Sequence, residues 1–139
     1  MAEPAGYSGK PLIAKLGVKP GQQLQVVDAP GHYTDLIEPL PDGVSLMLCA
    51  WEQAEAGAQV VHAFFADRAA LAAHAAALVT LPALGGMVWV SWPKKSSPLF
   101  RDLTENDIRT LVLPTGWVDV KVAAVDADWS GLKFLKRRA

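Results

Sequence analysis

The residues best suited to chemistry lie in the last third of the chain, where Lys94-Lys95-Ser96-Ser97 follow an apolar run at residues 87–92. Two ammonium groups and two hydroxyls in succession can hold a phosphate or a carboxylate. Thr104, about eight residues further on, has the type of a helix cap, and the free N–H groups of a helix start favour anions. Lys94, Lys95, Ser96 and Thr104 are therefore the candidate anion-binding residues. A second pair, Asp28 and His32, brackets Ala29-Pro30-Gly31 after an apolar run. A carboxylate and an imidazole at that spacing can act as an acid–base pair or touch a cofactor; the alternative is a helix-capping Asp beside a solvated His. No nucleophile is paired with a base by spacing, so no catalytic residue is assigned.

The other reactive types point to structure. His62, inside QVVHAFFA, is expected on a partly covered strand face, and His74 on the surface of an alanine-rich helix. Cys49 lies in an apolar run, where a buried, inert thiol is the expectation. One cysteine and three scattered histidines leave no metal set by spacing. Trp89 and Trp92 fall on opposite strand faces, and the tryptophans are either core residues or an exposed cluster for a protein partner or a second copy. Lys133, Lys136, Arg137 and Arg138 either guard an edge strand or face an acidic partner or nucleic acid.

These residues sit in a chain of 139 residues, 51% hydrophobic, with a formal net charge of −1. That length fits one domain over residues 21–139, preceded by an arm and turn over residues 1–20. The near-neutral balance argues against nucleic acid as a partner. Charge is uneven: residues 1–86 hold four basic and eight acidic side chains, residues 87–139 nine and six. An anion site is thus expected in the second part. No apolar stretch reaches the roughly 18–20 residues of a membrane span. The opening MAEPAGYSGK is not a basic segment followed by an apolar one, so the cytoplasm is the expected compartment.

Hydrophobic periodicity gives the elements that must position the candidates. Strands are expected at residues 24–29, 44–50, 59–66, 87–92, 118–125 and 132–136. Helices are expected at residues 32–39, from Asp67 to about residue 79, and at about 104–112, the last capped by Asp102 or Thr104. Gly85-Gly86 reads as a helix terminator. The last two strands are too close for a parallel crossover and should pair antiparallel. The expectation is an α/β fold: a single Rossmann-like open sheet of about six strands, mostly parallel, ending in an antiparallel hairpin.

Two resemblances add to this reading. Gly6-Tyr7-Ser8-Gly9, Trp92-Pro93-Lys94-Lys95-Ser96, Asp102-Leu103-Thr104-Glu105, Asp119-Val120-Lys121-Val122 and Trp129-Ser130-Gly131-Leu132-Lys133 together resemble a bacterial family of short proteins known as a domain of unknown function. More broadly, Leu84-Gly85-Gly86 before a strand, Gly116-Trp117 before another and a closing hairpin resemble the second half of class I methyltransferase-like Rossmann folds. That resemblance implies a last strand inserted antiparallel between two neighbours and a Gly-rich cofactor loop after strand one. Residues 27–32 offer one glycine there and a proline, which lacks an N–H, and only eight residues separate Ala50 from Gln59. Tight S-adenosylmethionine binding is therefore not expected. The cofactor is left open. Three functional readings stand: a non-catalytic or regulatory domain binding a small, anionic molecule; a group-transfer enzyme with a nucleotide-type cofactor; and a protein-interaction module.

Overall fold

A computed structural model describes residues 10–138; the Gly6–Gly9 motif lies outside them. β1 (Gln23–Val27), β2 (Ser45–Cys49), β3 (Ala58–Phe64) and β4 (Pro82–Pro93) run parallel. β5 (Trp117–Ala124) and β6 (Trp129–Lys136) complete one sheet in the order β2-β1-β3-β4-β6-β5. β6 sits between β4 and β5 and is antiparallel to both. The expected hairpin forms, closed by Asp126, whose Oδ1 accepts the N–H groups of Asp128 and Trp129 at 2.8 Å.

β3 is buried along nearly its whole length because it is central and covered on both faces. Alternation sends its side chains into two cores. One holds Val61, Ala63, Val90 and Trp92, under α3 (Arg68–Leu78) and α4 (Glu105–Val112). The other holds Val60, Phe64, Trp89 and Leu24, under α1 (Leu12–Leu16) and α2 (Tyr33–Ile37). Leu12, Ile13 and Leu16 of α1 are buried, and the Trp89 indole donates to Leu16 O at 3.0 Å. Trp89 and Trp92 thus lie on opposite faces, both in core.

Two local expectations are corrected and one left open is decided. Gly85-Gly86 does not end a helix; it lies within β4, which begins at Pro82. Pro82 pairs with Ala58 and Met87 with Val60, so the residues between form a bulge, with Gly85 at φ 79°. Thr104, not Asp102, caps α4, through a reciprocal capping box with Asp107. Asp102 instead accepts the N–H of Arg68 at 2.9 Å, at the start of α3, beside the Asp67 cap. β6 is interior, as the methyltransferase-like resemblance implies, so the reading of its basic residues as an edge guard is set aside.

The β2–β3 connection is an extended crossover instead of a helix. It opens with a turn of 3₁₀ helix at Trp51–Gln53 and is fixed at Glu55. Gln25, 3% exposed in the middle of β1, clasps that residue: its Nε2 donates to Glu55 O at 2.7 Å and its Oε1 accepts from Glu55 N at 2.8 Å. One amide thereby mimics a strand partner. Gln25→Leu would orphan both backbone groups, and each buried unmade bond costs about 1–3 kcal/mol. Water reaches Glu55, so a loss of about 1–2 kcal/mol in urea denaturation is expected; an unchanged midpoint would refute the clasp.

Candidate functional site

The C-terminal ends of β1, β2, β3 and β4 and the start of β6 share one edge of the sheet, the side on which open α/β sheets bind ligands. The β1–α2 loop comes first. Asp28 adopts φ 57°, a left-handed turn that Asp tolerates better than most residues, and its N–H donates to Cys49 O at 2.9 Å. His32 opens α2 without a side-chain cap bond. Its Nε2 lies 2.7 Å from Asp126 Oδ2, so the carboxylate it meets is that of Asp126 in the hairpin turn, not that of Asp28. The loop and the hairpin, 94 residues apart, are joined across the edge.

At the end of β2 stand Trp51 and Glu52. The Trp51 ring stacks on His74 with centroids 4.3 Å apart and leans on Phe65 at 6.0 Å. His74 is accordingly half covered, not merely a surface residue. Glu52 is exposed beside it. Cys49 is only partly buried; its thiol pKa is raised by burial, then by Asp28 and Glu55, which keeps it protonated and unreactive.

Beneath the loop lies a polar chain that sequence did not reveal. His62 is fully buried rather than on a partly covered face. Its Nδ1 is 2.9 Å from Tyr33 Oη and its Nε2 2.6 Å from Ser91 Oγ. Tyr33 is the first residue of α2, so this chain ties the loop's exit to β3 and β4. Burial pushes the His62 pKa down to about 3 and the Tyr33 hydroxyl upward, so both are neutral. A neutral imidazole can donate from one nitrogen and accept at the other, which satisfies all three groups.

The second station is a cavity of about 370 Å³ lined by Trp92, Lys94, Lys95, Thr104, Asn106 and Arg109, with Glu105 and Ser130. Lys94, Lys95 and Thr104 thus line one cavity. Ser96 is exposed and is not among the lining residues. Its neighbour Ser97 is buried, donates to Asp128 Oδ1 at 2.9 Å and accepts from Leu99 N, pinning the loop to the hairpin. Arg109 is oriented by Asp119 at 2.8 Å and by Glu105, and these bonds raise its pKa. Asp107 is held low, first by its backbone bond to Thr104. Arg109 and Ser130 were missed by sequence reasoning. The i,i+4 spacing from Glu105 could have flagged Arg109, whereas Ser130 arrives only through the strand order. Asp28 and His32 line neither this cavity nor a smaller one at Gln25 and Glu55. The tryptophans offer no exposed cluster: Trp89, Trp92 and Trp117 are buried, and Trp51 and Trp129 are half-buried.

This strand order defines a Rossmann-like α/β protein, with a mostly parallel six-stranded sheet closed by an antiparallel pair of strands. The chain is similar to a SAM-dependent methyltransferase from Aquifex aeolicus (TM-score 0.62, 8% identity, 93% of this chain and 89% of that one). It is also similar to the 1,6-didemethyltoxoflavin-N1-methyltransferase of Burkholderia thailandensis, solved with S-adenosylhomocysteine (0.60, 14%, 96% and 80%). A possible exported protein from Bordetella parapertussis gives 0.64 at 10% identity, and this chain spans 66% of its length. No family model and no curated protein matches the sequence. At these identities the likeness establishes the fold. Among the described residues, no helix is long and apolar enough to cross a membrane.

The His62 chain predicts a pH dependence. A histidine whose pKa is about 3 folded and about 6.5 unfolded binds more protons in the unfolded state between those values. Its contribution is fully present above pH 6.5 and is lost as pH falls from there toward 3, with a slope of up to about 1.4 kcal/mol per pH unit. Urea denaturation from pH 7 to 4 should show this slope, and His62→Gln, which cannot titrate, should lessen it. Equal slopes in the two proteins would sink the assignment.

Proposed function

We propose that this chain is a methyltransferase-like group-transfer domain that takes a nucleoside-type cofactor over the ends of β1, β2 and β3. An anionic second ligand sits at Lys94, Lys95 and Thr104. The observation that carries this reading is the exposed carboxylate of Glu52 in the 3₁₀ turn that follows β2, whose last residue, Cys49, accepts the N–H of Asp28 in the left-handed turn after β1. In dinucleotide-binding sheets an acidic residue about 20 positions beyond the glycine loop accepts the ribose hydroxyls. Glu52 stands at that spacing from Gly31, in the turn just past the corresponding strand. The fold shared with methyltransferases, one solved with S-adenosylhomocysteine, favours this over a purely regulatory domain.

Within this reading the residues have distinct parts. Glu52 holds the ribose, and the half-buried Trp51 beside it offers an aromatic edge. Gly31 allows close backbone approach, while Pro30 removes one donor. His32, held by Asp126, closes the loop toward the hairpin. Lys94, Lys95 and the N–H groups that open α4 supply positive potential for the anion, and Glu105 limits it to a modest net charge. The second reading, a regulatory anion-binding domain without cofactor, is favoured by the cavity at Lys94 alone.

Calorimetry separates the two. S-adenosylmethionine and S-adenosylhomocysteine should bind with dissociation constants weaker than about 1 μM, a ceiling near −8 kcal/mol. Glu52→Gln should weaken this binding about tenfold, as expected for losing a charged hydrogen-bond partner. Lys94→Ala with Lys95→Ala should leave cofactor binding intact and weaken inorganic phosphate, by a factor that shrinks with salt. Stability of that double variant should stay within about 0.5 kcal/mol. Absence of cofactor heat with phosphate binding retained would replace the first reading by the second.

A further inference from the structure

We propose that lysines on the α1 side of the β5–β6 ribbon, Lys19, Lys121 and Lys133, form a docking stripe for an acidic peptide segment of a protein partner. Lys121 and Lys133 stand directly opposite each other across the antiparallel ladder. Lys133 reaches over α1's C-terminus, its Nζ 4.0 Å from where a Gly17 Cβ would lie. Lys19 follows that helix at an exposed turn. Residues from three distant stretches are thus gathered on one face.

The grouping is costly. Like charges directly opposite in a ladder are destabilising. The Lys133 ammonium is disfavoured by burial, then by Lys121 and Lys19; that of Lys15 by burial, then by Lys94, Lys10 and Lys121. Among the described residues the ion pairs involve His32, Arg68, Arg101 and Arg109, so none relieves Lys19, Lys121 or Lys133. Edge protection does not explain Lys133, because β6 is an interior strand. A local rule broken without compensation inside the fold points to a partner outside it.

The chemistry of the stripe selects the partner. It is built of lysines, point charges that pair with a carboxylate as readily as with a phosphate, so the surface around them decides the partner. Trp89, opposite Lys133 in the β4–β6 ladder, is fully buried, so it presents no ring for base stacking. Leu135, on the same face as Lys133, is 36% exposed, and β5 is an edge strand whose backbone can receive an extended segment. Carboxylates with apolar neighbours on an extended peptide match this surface.

Fluorescence anisotropy with a labelled oligoglutamate peptide, and in parallel a labelled single-stranded oligonucleotide, tests the proposal. At low ionic strength the peptide should bind, and Lys121→Gln with Lys133→Gln should weaken it by about tenfold. The thermal midpoint of that variant should be unchanged or raised, since a repulsive pair is gone. Lys136→Gln, on the opposite face, should leave affinity nearly unchanged. Equal peptide affinity in the wild type and the double variant would overturn the proposal, as would tighter, lysine-dependent binding of the oligonucleotide. If the double variant fails to fold, Lys19→Gln must by itself weaken peptide binding, and retained affinity there overturns the stripe.

Discussion

The seating of β6 between β4 and β5 is the constraint on which the rest of the molecule depends. Seven residue pairs register it against β4, from Met87↔Leu135 to Pro93↔Trp129. This ladder sets the position of every element that meets the functional edge from the far side. It places Asp126 against His32, Ser130 in the wall of the Lys94 cavity, and Asp128 against Ser97. Gly131 belongs to the same constraint: a Cβ there would lie 3.1 Å from the Trp89 ring and 3.3 Å from Ser91 Oγ. A side chain at that position would press on both the core and the His62 chain. The antiparallel direction follows from the short link, since four residues suffice for a hairpin and not for a crossover.

The buried Tyr33–His62–Ser91 chain shows how a polar group is tolerated in such a core. An unpaired imidazole at the centre of a sheet is costly, and one with both nitrogens bonded costs far less. Its geometry has the look of a base flanked by two hydroxyls, yet all three residues are fully buried. Its role is to fix α2, and through it the Asp28–His32 loop, on the central strands. The loop is thereby anchored at its exit, while its entry is tied by Asp28 N–H to the end of β2. Stability and site position are coupled at this point.

On the opposite face the extended crossover takes the place of a helix. Gln25 and Glu55 exchange two hydrogen bonds that a packed helix would not offer, and the covering segment is thin. β2 is left as a short edge strand with Leu48 47% exposed. The other edge carries Lys121 and a register shift between Asp119 and Lys121. The two edges differ in kind: one is uncharged, the other irregular and basic.

Much of the fold was legible along the chain. Apolar periodicity located six strands and the longer helices, because burial of one face leaves a period in the sequence. Asp67 and Thr104 were readable as caps because capping is local, a side chain meeting an N–H three residues on. Lys94, Lys95 and Thr104 were readable as neighbours because a strand end and the next helix start share one edge. Other features came only from the tertiary structure. The register of β5 on β6 turned Lys133 from an edge guard into half of a repulsive pair with Lys121. The packing gave His32 a partner 94 residues away, and it buried His62, which the sequence placed on a partly covered strand face. Gly85-Gly86 looked like a stop because glycine frees the backbone for a terminator and for a bulge alike. Local signals fix what a segment can become; which residues meet across the sheet is decided by the packing of all segments at once, and the proposed ligand edge and lysine stripe are both made of such meetings.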